Sequence, residues 1–217
     1  MTPYRWLALS AAVYGVLHHE GTLLGGLGET VDQTRWADWI DVATPYAVLL
    51  PAAGALHSLA ADRLAWTLYL LGAITYVEGH GIHLAANSIS NISPGDGSEW
   101  PPMVHLWDEI VGHHLWSAGT TLVVLAIARA ARDLAAPPPV GYLLAALVGV
   151  TFFTNSVEGS TAVLGLVSAA FLTRVGWTHR RGFDRQLLAA YGLALVLLVA
   201  FGLWQGGFPE FTELGWV

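Results

Sequence analysis

The 217-residue sequence contains no cysteine. That excludes disulfides, thiolate metal sites, iron–sulfur clusters and cysteine nucleophiles. Lysine is missing too, because all nine basic residues are arginine. No Schiff base can therefore form, which excludes retinal binding and lysine-nucleophile chemistry. Charge of either sign is scarce: charged residues make up 12% of the chain, about half of what a soluble domain carries. Nine arginines against sixteen acids give a net charge of −7, so there is no basic surface for nucleic acid. In their place stands apolar bulk, 54% hydrophobic with a mean hydropathy of +0.53, the composition of an integral membrane protein. Chemistry is left to nine histidines and the acids, so their positions carry the functional question.

Apolar runs of about 20 residues cross a hydrocarbon core. Seven such runs are predicted, over residues 6–26, 40–59, 64–86, 106–128, 140–158, 161–177 and 187–204. The first is too long for a signal-peptide core and has no convincing small-residue cleavage site. Pro137, Pro138 and Pro139 end the fourth helix and start the fifth, since proline fits a first turn and not a helix interior. Residues 93–97, Ser-Pro-Gly-Asp-Gly, mark one sizeable loop within about 87–103. With no linker, composition shift or repeat, the expectation is one all-α domain over 1–217 with seven transmembrane helices.

Arginine placement orients this frame. Arg5, Arg63, Arg129, Arg132, Arg174, Arg180, Arg181 and Arg185 fall on one side of an alternating seven-span topology, with Arg35 alone opposite. The positive-inside rule then predicts a cytoplasmic N-terminus and an external C-terminus, in the plasma membrane of a prokaryote. Glu29, Asp32, Asp38, Asp41, Asp96, Glu99, Glu210 and Glu213 make the outer side acidic. Tryptophans at both predicted interfaces form an aromatic belt.

On this frame the ionisable residues meet at one depth, in the outer third of the membrane. The first helix brings His18, His19 and Glu20, the third Glu78, His80 and His83, the fourth His105, Asp108, Glu109, His113 and His114, and the fifth Asn155 and Glu158. Positions three or four apart share a helix face. His80, His83 and Asn87 therefore form one stripe, with Tyr76 a turn deeper, and His105, Glu109 and His113 form another. Thr151, Asn155 and Glu158 form a third. Asp108 and His114 fall off their stripe, Glu78 points elsewhere, and only one of His18 and His19 is expected to face the bundle centre.

Charges at such depth cost at least ~2.5–3.5 kcal/mol near mid-membrane unless paired, hydrated or bound to a cation. Imidazole and carboxylate without thiolate suit Fe, Zn, Cu(II) or Mn. The expected metal ligands are His18, His19, His80, His83, Glu109, His113 and His114, with Glu78 and Glu158 as proton-transferring carboxylates. Plainer readings stand beside these. Glu109 and His105 can snorkel to the interface, Asp108 can cap its helix, Glu158 can be a helix-end acid, and His57 and His179 read as structural. No His-x-x-x-His or His-x-x-His-His box occurs, so no family is assigned.

The expected function is a membrane-embedded metal enzyme whose site opens outward. The surplus of donors points to a dinuclear centre, two ions, and oxidoreduction of a lipid, quinone or other apolar substrate. A single zinc hydrolysing lipid is one alternative. Bis-histidine haem for electron transfer is a second, and metal or proton transport is a third. Transport needs polar groups through the whole thickness, and the inner half offers only His57.

Overall fold

The computed structural model describes residues 1–19, 23, 27–30, 34–92, 100–135, 138–179 and 182–216. Glu20, the turn at 93–97, Pro137, Arg180 and Arg181 lie outside the described residues. Helix accounts for 82% of the chain and no strand is present among the described residues. The helices are α1 (Pro3–Leu17), α2 (Trp36–Ser58), α3 (Arg63–Ile92), α4 (Trp100–His105), α5 (His113–Ala130), α6 (Pro139–Glu158), α7 (Ala162–His179) and α8 (Phe183–Gln205). A π-helical segment, Leu106–Gly112, joins α4 to α5 without a break.

Local sequence explains the ends. Pro3 and Pro139 sit in the first turns of α1 and α6, where their missing N–H groups are orphans in any case. Gly206 ends α8 in the left-handed conformation, φ 69°, the usual helix-stop geometry for glycine. Four spans are long and apolar enough to cross a bilayer: Trp36–Ser58, Pro102–Ala130, Pro139–Glu158 and Phe183–Gln205. The helix over Ala162–Thr178 is apolar but shorter. The first helix stops at Leu17, nine residues before its expected end, and the second starts at Trp36, four residues early. Asp41, expected among the acids of the outer side, is buried inside α2.

Many large apolar side chains face outward. Leu203 is 81% exposed, Leu143 73%, Val163 72% and Leu50 70%, on a scale that water-soluble monomers avoid and that hydrocarbon contact requires. Two apolar cores lie behind them. One joins α1, α2, α3 and α5 around Leu56, Tyr76 and Val123, and the other joins α6, α7 and α8 around Leu172, Leu187 and Leu198. Val148 and Phe183 pack against both.

The closest crossing sets α3 against α5 and the π segment. Glycines make it possible. A Cβ on Gly72 would stand 2.8 Å from the Gly119 carbonyl oxygen, and one on Gly119 would stand 2.7 Å from the Gly72 oxygen. Seven residues along each helix the same pairing recurs, with Gly79 against Gly112. Small residues at such crossings let backbones approach where lipid offers no hydrophobic drive for helix association. The second glycine pair lies directly beside His80, His83 and His113, so the crossing positions the polar cluster.

Candidate metal centre

His83 of α3, Asp108 of the π segment and His113 at the start of α5 each offer a ligand atom within 4.8 Å of the other two. His83 Nδ1 lies 2.5 Å from Asp108 Oδ1, and the rings of His83 and His113 are 4.3 Å apart, tilted by 38°. Asp108 and His113 are buried and His83 is largely so. The group is formed by the π geometry. The backbone N–H of His113 bonds the carbonyl of Asp108, five residues back, which brings these two residues onto one face. An α-helical register puts them on different faces, and that is the reason sequence periodicity leaves Asp108 off the stripe.

Glu109 takes the orienting position. With the proton on Nδ1, His113 donates to Glu109 Oε2 at 2.9 Å, which leaves the His113 Nε2 lone pair free. A carboxylate holding the far nitrogen of a ligand histidine fixes its tautomer and raises its basicity. Two imidazoles and one carboxylate, with open positions remaining, form the donor set of non-haem Fe(II) sites and of catalytic zinc sites. The donors present therefore fit a divalent transition ion.

A second polar layer lies against the first. His80 Nε2 reaches Asp41 Oδ1 at 2.9 Å and the Asp41 carbonyl oxygen at 3.1 Å. Its other nitrogen, Nδ1, is buried without a hydrogen-bond partner among the described residues. His18, the C-cap of α1, is held from both sides, at 2.9 Å by the Tyr14 carbonyl and at 2.8 Å by the Tyr76 hydroxyl. His19 reaches Thr151 Oγ1 of α6 at 3.2 Å. Both members of the His18–His19 pair are thus engaged, because they sit on a turn after the helix end. Trp116 packs among four histidine rings, with centroids 4.9 Å from His80, 5.1 Å from His18, 5.5 Å from His113 and 5.6 Å from His83.

The remaining expected site residues stand apart. Glu78 and His114 are exposed, as are His105 and His57. Glu158 accepts hydrogen bonds from the backbone N–H groups of Phe211 and Thr212, at 2.7 and 3.4 Å. It holds the C-terminal segment and is not among the cluster's partners. Asp41, Asp108 and Trp116 are the participants that residue spacing did not select. Signals for two of them are present in the sequence: Asp38 and Asp41 one turn apart near a helix start, and Asp108 five residues before His113.

Below the cluster lies an apolar cavity of about 150 Å³. It is walled by α1, α5, α6 and α8, and Tyr14, Tyr76 and Thr120 line its cluster-side end. A smaller space lined by Tyr14, Thr120, Trp116, Asn155 and His113 shares Tyr14 and Thr120 with it and touches the triad at His113. No family model, curated protein or solved structure matches this chain.

Proposed function

We propose that this protein is a membrane-embedded enzyme that holds one divalent transition-metal ion between His83, Asp108 and His113 and acts on an apolar substrate. The observation that carries the reading is the convergence of those three donors within 4.8 Å, with Glu109 orienting His113 and an apolar cavity whose lining residues Tyr14 and Thr120 also line a small space at His113. In the seven-span arrangement read from the arginines, the site opens to the outer face of a prokaryotic plasma membrane. The reaction class we assign is oxidoreduction of a lipid or quinone. Two histidines and one carboxylate with open positions suit Fe(II), and Trp116 packs on the His83 and His113 rings with Tyr76 stacked 6.3 Å behind it. The ion supplies Lewis acidity or a redox couple. The chain supplies orientation through Glu109, exclusion of water through the buried ring stack, and a nearby proton acceptor in His80 Nδ1.

The expected second ion has weaker support, because His80 and His18 are engaged by Asp41 and Tyr76 rather than grouped as ligands. That single grouping favours one second reading, a zinc-dependent lipid hydrolase. For haem, the His83 and His113 rings, 4.3 Å apart, leave no space for a porphyrin between them, and of the other expected axial residues His80 is held by Asp41 and His114 is exposed.

Elemental analysis of the detergent-purified protein, after reconstitution with Fe(II), Zn(II) or Mn(II), tests the proposal. About one ion per chain and no Soret band are expected, with the preferred element choosing between redox and hydrolysis. His83→Ala and His113→Ala should each abolish binding, and His57→Ala, at an exposed position, should not. Full occupancy in both of the first two variants overturns the ligand assignment.

A further inference from the structure

We infer that the cavity between α1, α5, α6 and α8 is a binding site for the head-proximal part of the hydrocarbon tail of a single membrane lipid, with its polar head at the Tyr14, Tyr76 and Thr120 end, on the side of the histidine cluster. The inference rests on the proposed function for the role of that lipid as substrate, though not for its binding.

The shape of the site supports this occupant. Tyr4 and Tyr14 both line the cavity. Ten residues of α1 separate them, about 15 Å at the helical rise of 1.5 Å per residue. The cavity thus follows roughly half the ~30 Å hydrocarbon thickness, parallel to the helices. Its middle is lined by Leu7, Ala11, Leu144, Ala145 and Ala190, which offer no hydrogen-bonding side chain. Water needs two to four polar partners to stay in such a space, and the one hydroxyl between Leu7 and Ala11, that of Ser10, already donates to the Val48 carbonyl. An empty apolar cavity forfeits dispersion contacts on every wall. At this depth, hydrocarbon fills it best.

Hydrogen-bonding groups gather at the cluster-side end. Tyr14, Tyr76 and Thr120 line it, and Tyr14 and Thr120 also line the smaller space at His113 and Asn155. A tail moving from bilayer to cavity gains little transfer free energy, because lipid chains and apolar side chains are alike as solvents. Selection among lipids therefore falls to the head: Thr120 already donates to the Trp116 carbonyl and Tyr76 bonds His18, so a head carrying oxygen acceptors meets the Tyr14 hydroxyl first. A fatty acyl chain ending in an ester or carboxyl and a prenyl chain ending in a quinone share this chemistry.

Photolabelling in lipid nanodiscs tests the site. Two probes are used in parallel: a diazirine-bearing palmitic acid and a diazirine-bearing prenyl benzoquinone. Crosslinked residues are mapped by mass spectrometry and metal content is measured on the same samples. Labels at Leu7, Ala11, Leu144 or Ala190 are expected with at least one probe, and the stronger probe identifies the head. Ala11→Trp, which fills the cavity from a half-buried position, should lower labelling there about tenfold, equivalent to one decade of affinity. The milder Ala11→Leu should lower it less. Labels confined to outward-facing residues such as Leu143 and Leu203 with both probes overturn the site. So does cavity labelling that Ala11→Trp leaves unchanged. Lining labels in a protein that binds no metal keep the lipid site and reject the enzyme reading, whereas bound metal with an unlabelled cavity does the reverse.

Discussion

Asp108 and Glu109 are neighbours in sequence with separate tasks. Asp108 lies within ligand distance of His83 and His113, while Glu109 touches only the far side of His113 among the triad. Asp108→Asn should therefore remove the ion, since a neutral amide cannot replace the anionic donor. Glu109→Gln should keep it and weaken affinity roughly 10–100-fold, the usual cost of losing an orienting carboxylate. Competition with a metal chelator measures both, and equal losses would merge the two roles. A different carboxylate, exposed in the Asp62–Arg129 pair, adds a small pH-dependent contribution to stability. Asp62, between α2 and α3, accepts three hydrogen bonds from the Arg129 guanidinium at 2.5–3.0 Å and one from the Ala65 N–H at 2.8 Å. The Arg129 contact, followed by the helix-cap bond, pushes its pKa down to about 2 from 3.8. A carboxyl depressed in the folded state stabilises it above the ordinary value, and that contribution is lost as pH falls through about 2. The difference in unfolding midpoint between wild type and Asp62→Asn should be constant above about pH 5 and shrink toward pH 2. An unchanged difference at pH 2 would refute the linkage. Single residues were legible in sequence where their type alone was informative. His83 and His113 stood out as intramembrane histidines, whereas Trp116 looked like one more aromatic on an apolar helix.

At the scale of elements, regular periodicity was legible and its interruptions were not. The hydrophobic runs placed the helices to within a few residues at most ends, and the prolines at 137–139 marked where the helix after them starts, at Pro139. Two features broke the rule. The end of α1 at Leu17 freed His18 and His19 to point in different directions, and the π segment rotated Asp108 toward His113. A π-bulge adds one residue to an α-helix and shows no hydropathy signature, so a 3.6-residue period misplaces everything on its far side. Removing the extra residue is therefore the decisive test. Ile110 is 46% exposed, and its deletion sacrifices little core packing. It should restore an α-helical turn and swing Asp108 about 100° from the face shared by His83 and His113. The deletion variant should keep its helical circular dichroism and lose bound metal, while the neighbouring Ile110→Ala keeps both. Retained metal in the deletion variant would show that the π register does not build the site. The glycine pairs Gly72–Gly119 and Gly79–Gly112 were visible as letters, but pairing two helices through them requires knowing which helices meet.

For the whole molecule, the two ends of the bundle differ in chemistry. At one end Asp62 meets Arg129, the Tyr4 hydroxyl donates to the Ala135 carbonyl, and Gly182 packs against Leu134. These contacts gather Arg5, Arg63, Arg129, Arg132 and Arg185 on one side. At the other end Ser160 bonds Glu210, Glu158 holds Phe211, and Asp41 meets His80. The segregation inferred from counting arginines between apolar runs thus has a physical counterpart in the fold, and it places the histidine cluster at the acidic end. Which end faces the cytoplasm follows from the positive-inside rule alone, and the missing cysteines make it directly measurable, because any single introduced thiol is the only one in the chain. Arg132 and Glu213 are both exposed and lie at opposite ends. A membrane-impermeant maleimide applied to intact cells should label Glu213→Cys and leave Arg132→Cys unmodified until the cells are permeabilised. The reverse pattern would turn the metal site toward the cytoplasm. Equal labelling of both positions from outside would reject an odd number of spans between them, and with it the seven-span topology.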